Sequence, residues 1–331
     1  MLRRTLQGSV RYSTFCIEPT ELLITFNQKY LANMAFNWQT FKTRTLTAII
    51  FAAVMLFGLL WNQWSFLILF SIIHFGCWWE YLKLTEKIYN TAFHPYTKLG
   101  LMVMGYGLML WFCNPSYQLN SYGIKENISL PVSAAGFTLL LIGIFQKAPV
   151  NLKAFGMAAL GLVYISLCWG LMIDLSTGWD IHIHDTTIVI AGYFIPVMII
   201  ASIWINDTMA YIVGSLIGKT PLSKISPKKT WEGTIGGIVL CVIAVGLFFS
   251  NFYSDVVVPG FHISFVKEIW FIIPAIAAIT GTLGDLLESK LKRMAGVKDS
   301  GSLMPGHGGF MDRFDSLLLA IPFVWFYVQW I

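Results

Sequence analysis

Apolar positions in this chain gather into long runs set apart by short polar stretches. Nine such runs stand out, at residues 45–61, 64–79, 99–113, 130–145, 154–173, 188–205, 234–252, 269–284 and 316–331. A helix rises about 1.5 Å per residue and a bilayer core is about 30 Å thick, so a run of roughly 20 apolar residues is enough to cross it. Each run predicts a membrane helix, and the shorter ones call for local thinning or a partly interfacial position. The expected fold class is all-α, a polytopic membrane bundle of about nine transmembrane helices. Two polar connections, 206–233 and 285–315, are the longest, and neither is large enough for a separate soluble domain.

Composition removes the soluble alternative. Of 331 residues, 56% are hydrophobic and 12% charged, with a mean hydropathy of +0.67, whereas a soluble domain carries about 25% charged residues. The five cysteines, Cys16, Cys77, Cys113, Cys168 and Cys241, form no CxxC pair. They read as small buried hydrophobes, neither a disulfide frame nor a zinc site.

Charge orients the bundle. With nine spans, the N-terminal segment and the connections near 80–98, 146–153, 206–233 and 285–315 share one side and hold 20 of the 22 Lys and Arg; Lys125 and Lys267 lie on the other. The positive-inside rule then places the N-terminus in the cytoplasm and the C-terminus outside. The net charge of +5 is concentrated on that cytoplasmic face, where it attracts lipid headgroups and nucleotides; no nucleic-acid partner is expected. Three regions follow: an extension at 1–44, N-terminal transmembrane helices at 45–205, and a catalytic transmembrane region at 206–331 with two cytoplasmic loops. The extension has three arginines and no acid before Glu18, like a transit peptide. The plainer reading, an unstructured extension or a start assigned too early with Met34 as the alternative, is preferred.

The acids are unevenly placed. Seven of seventeen, Asp207, Glu232, Asp285, Glu288, Asp299, Asp312 and Asp315, fall in the two long connections. If the eighth helix continues past its apolar run, Asp285, Glu288, Ser289 and Lys292 share a face at i, i+3, i+4 and i+7. Asp312 and Asp315 begin the ninth helix at i, i+3, so Asp285, Asp312 and Asp315 are expected to meet at one interfacial point. Hard oxygen ligands of this kind suit Mg²⁺. As a bare pair, Asp312 and Asp315 could equally favour a helix N-terminus electrostatically. The preceding Pro305–Gly309 stretch, PGHGG, adds backbone N–H groups able to approach a phosphate, with His307 as a further donor. In the other connection, Lys224, Lys228 and Lys229 suit polyphosphate as point charges; a solvated positive-inside loop would explain the lysines but not the flanking Asp207 and Glu232. GSLIGKT at 214–220 is one residue short of a P-loop and follows a membrane helix instead of a strand, so it is set aside. His182 and His184 read as chance loop histidines.

At 289–316 the stretch SKLKRMAGVKDSGSLMPGHGGFMDRFDS resembles the signature of the CDP-diacylglycerol synthases, or phosphatidate cytidylyltransferases. Ser289, Lys292, Arg293, Lys298, Asp299, Gly301, Pro305, His307, Gly308, Gly309, Asp312, Arg313 and Asp315 all stand at the pattern's positions. SPKKTWEG (226–233) and DTMAYIVGSLIGK (207–219) resemble its upstream motifs, while the first four runs carry no diagnostic motif. The resemblance implies transfer of CMP from CTP to phosphatidic acid, giving CDP-diacylglycerol and pyrophosphate, with Mg²⁺ and, in this family, a second, monovalent cation such as K⁺. It implies Asp285 and Asp312 as metal ligands, with Asp315 either ligating the metal or orienting the cluster, and these three together with Lys292 as the catalytic residues. It implies Asp207, Ser226, Lys228, Lys229, Ser289, Arg293, Lys298, His307, Gly308, Gly309 and Arg313 as substrate contacts. An inner-membrane location with a cytoplasmic active site is expected, and a homodimer is compatible with the pattern. Three alternatives are a cytidylyltransferase for an isoprenoid ether lipid, a membrane lipid kinase, which would release no pyrophosphate, and a transporter, which would more often hold its acids inside the spans.

Overall fold

The computed structural model describes residues 38–146, 151–177, 179–183, 186–190, 192–253, 264–301 and 308–331. Most of the extension at 1–44 lies outside them, as do Pro305 and His307. Two compact units divide the chain, Met1–Ala48 and Ile49–Ile331. Of the first, the described part is the start of one helix; all that follows concerns the second.

Each of the nine apolar runs contains a helical segment. These are α1 (Trp38–Leu60), α2 (Gln63–Tyr89), α3 (Pro95–Leu110) and α4 (Leu130–Ile144). Then come α5 (Leu152–Ala159), which continues through a π-helical stretch into α6 (Cys168–Leu175), and α7 (Phe194–Ile217), α8 (Trp231–Tyr253), α9 (Ser264–Met294) and α10 (Met311–Trp330). Among the described residues, six helical stretches are long and apolar enough to cross a membrane: Gln63–Tyr89, Lys125–Ile144, Leu152–Leu175, Phe194–Ile217, Trp231–Asn251 and Glu268–Met294. The chain is an integral membrane protein, mainly helical, with two short antiparallel hairpins: β1 (Gln118–Leu119) with β2 (Tyr122–Gly123), and β3 (Trp179–Ile183) with β4 (Thr186–Ile190).

Three boundaries differ from those expected. The run at 188–205 begins in β4, and its helix starts only at Phe194. The connection drawn at 206–233 is helical as far as Ile217, so Asn206 and Asp207 lie within α7, and the true loop is 218–230. The connection at 285–315 begins with ten further residues of α9, through Met294. In the first case an apolar scan does not tell strand from helix. In the last two it stops where polar side chains begin, but backbone hydrogen bonding continues until something ends it. For α2 that something is Asn90, in the left-handed conformation (φ 48°) with its N–H bonded to the Glu86 carbonyl. The start of α2 is equally defined: Asn62 and Ser65 form a reciprocal capping box.

Small residues bring helices together, as is usual where lipid supplies no hydrophobic drive. A Cβ at Gly100 or Gly136 would overlap the facing backbone of α4 or α3. At Gly284 it would overlap the Asp315 carbonyl oxygen, so α9 touches α10 one residue before Asp285. Bulky aromatics fill the centre: Trp169 lies 5.1 Å from Phe70 and 5.6 Å from Phe314, ring centre to ring centre, and all three are buried. This contact ties α2 and α6 to α10 near the carboxylates that α10 carries.

Candidate active site

Because α9 runs on to Met294, Asp285, Glu288 and Lys292 project from one face, and the Gly284 contact sets Asp315 of α10 against them. One carboxylate oxygen from each of Asp285, Glu288 and Asp315 lies within 4.8 Å of the others. Glu288 is fully buried, and its Oε1 has no hydrogen-bond partner among the described residues. Asp315 Oδ1 accepts the Ser316 N–H at 2.6 Å. Burial, Asp285 and Glu288 together push the Asp315 carboxyl well above its ordinary range. Lys229 pairs with Asp285, and Lys292 with Glu288.

Of the expected trio, Asp285 and Asp315 meet, and Glu288 occupies the place foreseen for Asp312. Asp312 faces a ring of donors instead. Its Oδ1 accepts from Lys292 Nζ at 2.6 Å, and its Oδ2 from Gly309 N–H at 2.8 Å, Ser300 N–H at 2.9 Å and Ser300 Oγ at 3.0 Å. Burial alone would raise this carboxyl; the Gly309, Lys292 and Ser300 donors outweigh it and hold the pKa at about 2. Gly308 precedes this knot with φ +81°, where a Cβ would also crowd Asp312.

The facing wall is the turn between α7 and α8. Leu222 N–H bonds the Lys229 carbonyl at 2.7 Å, Trp231 N–H bonds the Thr220 carbonyl at 2.9 Å, and Pro221 bridges to Thr230. Glu232 closes its base by accepting the N–H groups of Lys219 and Thr220 at 3.1 Å each. Glu232 is thus a fastener for the loop. The tip carries Ser226, Lys228 and Lys229 into a cavity of about 470 Å³ whose other lining includes Asp207, Asp285, Asp312, Asp315 and the buried Asn206. That volume is in the range of small-molecule sites.

Seven of the residues expected from sequence therefore line one cavity: Asp207, Ser226, Lys228, Lys229, Asp285, Asp312 and Asp315. Lys292 stands just behind it, between Glu288 and Asp312. Ser289, Arg293, Lys298, Gly308, Gly309 and Arg313 are not among the lining residues; Arg293 and Lys298 are exposed. His307 lies outside the described residues. The His182 backbone belongs to β3, paired with Thr187; His184 is outside the described residues. The sequence reading missed Glu288 as a site acid, although its i, i+3 relation to Asp285 was the signal. It also missed Asn206, which adjoins the Asp207 it chose.

Comparison with known proteins gives the family. A family model described as "Cytidylyltransferase family" matches residues 42–331. The chain is 31% identical over 291 residues to the phosphatidate cytidylyltransferase of Bacillus subtilis, covering 86% of this chain and 96% of that protein. It is 31% identical over 293 residues to the Haemophilus influenzae phosphatidate cytidylyltransferase, with 85% and 96% covered. It is 35% identical over 211 residues to the chloroplastic phosphatidate cytidylyltransferase 4 of Arabidopsis thaliana, with 58% and 50% covered. A membrane cavity that sets clustered carboxylates opposite a lysine turn, inside a match spanning nearly the whole chain, leaves one assignment: the chain belongs to the cytidylyltransferase family.

Proposed function

We propose that the chain is a phosphatidate cytidylyltransferase, joining CMP from CTP to phosphatidic acid to give CDP-diacylglycerol and pyrophosphate. The observation that carries this reading is one cavity lined by Asp285, Asp312 and Asp315 together with Lys228 and Lys229, with the buried Glu288 clustered against Asp285 and Asp315 at its wall. A phosphate oxygen of phosphatidic acid attacks the α-phosphorus of CTP, a new P–O bond forms, and the bond to the β-phosphate breaks with its electron pair leaving on pyrophosphate. The attacking oxygen is already anionic at neutral pH, so no side-chain nucleophile is needed. The protein contributes positioning and charge.

The donor set fits Mg²⁺: three buried or half-buried carboxylates, one with an unpartnered oxygen. In this reading Asp285, Glu288 and Asp315 hold the ion, which when bound neutralises charge on the reacting phosphates. A second, monovalent cation such as K⁺ remains part of the proposal, as does a homodimer. Lys228 and Lys229 would take CTP phosphates; Arg293, Lys298 and Arg313 are left for phosphates nearer the membrane surface. Purified protein given labelled CTP and phosphatidic acid should yield a CDP-lipid and pyrophosphate. Labelled product only with an isoprenoid ether lipid, or a phosphorylated lipid without pyrophosphate, would replace this reading.

Lys228→Ala combined with Lys229→Ala is expected to raise the KM for CTP about tenfold or more, since charge-assisted hydrogen bonds contribute roughly 1.5–3 kcal/mol each. Both side chains reach solvent, so the folded protein should persist in the membrane. Unchanged CTP kinetics would return the turn to an ordinary positive-inside loop.

We further propose nine spans in a bacterial inner membrane, the N-terminus and cavity facing the cytoplasm and the C-terminus outside, on the strength of the 20-to-2 division of Lys and Arg. In a background freed of native cysteines, Lys224→Cys should react with an impermeant thiol reagent only from the cytoplasmic side and Ser121→Cys only from outside. Labelling of both from one side would end the nine-span arrangement.

A further inference from the structure

Glu80 lies on α2, in the half of the chain where the sequence shows no motif, and it is 5% exposed. Its carboxylate is spent on residues more than 200 positions later. Oε1 accepts the Phe310 N–H at 2.9 Å; Oε2 accepts the Met311 N–H at 2.9 Å and the Ser300 hydroxyl at 2.7 Å. Among the described residues no Lys, Arg or His forms an ion pair with it. The first N–H groups of a helix have no partner within the helix and carry partial positive charge. At the start of α10 the residue in capping position is Phe310, which makes no side-chain cap; Glu80 supplies the missing acceptor from another helix, through charge-assisted bonds.

The surroundings are shaped for this contact. One turn before Glu80, a Cβ at Gly76 would overlap the Phe310 ring. At Gly301 and at Gly309 a Cβ would overlap the Glu80 carboxylate itself, which gives a physical reason for glycine at both positions. Ser300, held by Glu80, also donates to Asp312, and Gly309 N–H donates to Asp312 as well. Glu80 thus gathers both described ends of the 300–311 segment and connects through Ser300 and Asp312 to Lys292 and Glu288.

We propose that Glu80 is a positioning residue of the active site: it clamps Ser300–Gly301 to Gly309–Met311 and so fixes Asp312 and Asp315 against α9. The proposal rests on reading the cavity lined by Asp285, Asp312 and Asp315 as the reaction site. Glu80→Gln keeps size but turns one carboxylate corner into a donor facing donors. Its kcat for CDP-lipid formation should fall on the order of 10²-fold, as for an ångström-scale misplacement of reacting groups, with KM for phosphatidic acid within about twofold because α2 contacts no lipid phosphate in this scheme.

Two variants separate positioning from plain packing. Gly309→Ala should lower both melting temperature and kcat in the wild-type background, yet change little when added to Glu80→Ala, because the clashing carboxylate is gone. If Glu80→Gln is not recovered folded, Ser300→Ala removes the hydroxyl that Glu80 and Asp312 share and should reduce kcat about tenfold at near-normal melting temperature. A Glu80→Gln enzyme within twofold of wild-type kcat would overturn the proposal. So would equal costs of Gly309→Ala, in melting temperature, in both backgrounds. The melting-temperature cycle needs no activity, so a wild-type protein that makes no CDP-lipid would strike the function and leave the clamp to be judged by itself.

Discussion

Asp315→Asn is expected to lower CDP-lipid formation by about 10²–10³-fold, the scale for losing a strong electrostatic contact at a reacting centre, while raising the melting temperature measured in EDTA. Both effects come from the same geometry. Asp285, Glu288 and Asp315 bring three carboxylate oxygens within 4.8 Å of one another, with Glu288 and Asp315 buried. Like charges so placed repel, and turning Asp315 into its isosteric amide relieves the repulsion. Titrating Mg²⁺ should reverse the ranking. An ion that binds only the folded wild type adds about 2.7 kcal/mol at a hundredfold excess over its dissociation constant, whereas the variant's melting temperature should hardly move. Asp285→Asn should behave alike, and the double variant should be little slower than either single one, since ligands of one ion act as a unit. An Asp315→Asn protein that keeps activity within a few-fold, or whose stability still follows Mg²⁺, would leave the three acids without an ion to hold.

The helices were legible because membrane insertion demands long apolar runs, and each of the nine runs holds a helical segment, although the one at 188–205 begins in β4. Their ends were less so. The run at 64–79 stops one residue before Glu80, because an acid there resembles the start of a loop. The helix goes on to Tyr89 with Tyr81, Leu82 and Leu84 buried on its inner face. That early stop hid Glu80, yet an isolated acid between Trp79 and Tyr81 was itself a signal, since ionisable groups within or beside spans are seldom idle. Helical spacing put Asp285 and Lys292 on one face, and Glu288 shares that face although it was not chosen as a site acid. Lys228 and Lys229 followed from charge beside a proline-broken turn. What spacing could not give was rotation. Residues 312 and 315 sit close to 60° apart around a helix that turns about 100° per residue, so sequence alone allowed both to face the cluster. Packing of Phe314 against Trp169 and of Gly284 against the Asp315 carbonyl turns Asp315 inward and leaves Asp312 for Lys292 and Ser300.

That rotation makes Asp312→Asn the most informative single substitution. If Asp312 merely favoured the start of α10, an amide of the same size would serve and activity would be near normal. The geometry predicts otherwise. Oδ1 receives the Lys292 ammonium, and Oδ2 receives two backbone N–H groups and a hydroxyl. Whichever way an asparagine turns, its NH₂ faces either an ammonium or two N–H donors, and each donor left unpaired costs about 1–3 kcal/mol. Lys292 loses one of its two carboxylates, and the segment carrying Asp315 loosens against α9. The expected result is a fall of about 10²-fold in kcat. The Mg²⁺ response of the melting temperature should survive, because Asp285, Glu288 and Asp315 remain. That pattern, slow turnover with the ion's stabilisation intact, separates a carboxylate that holds the loop from one that ligates directly. If the Mg²⁺ response vanishes together with the rate, Asp312 belongs in the ion's own shell. If activity stays within a few-fold of wild type, its four donors are ornament to the helix start and the site rests on Asp285, Glu288 and Asp315 alone.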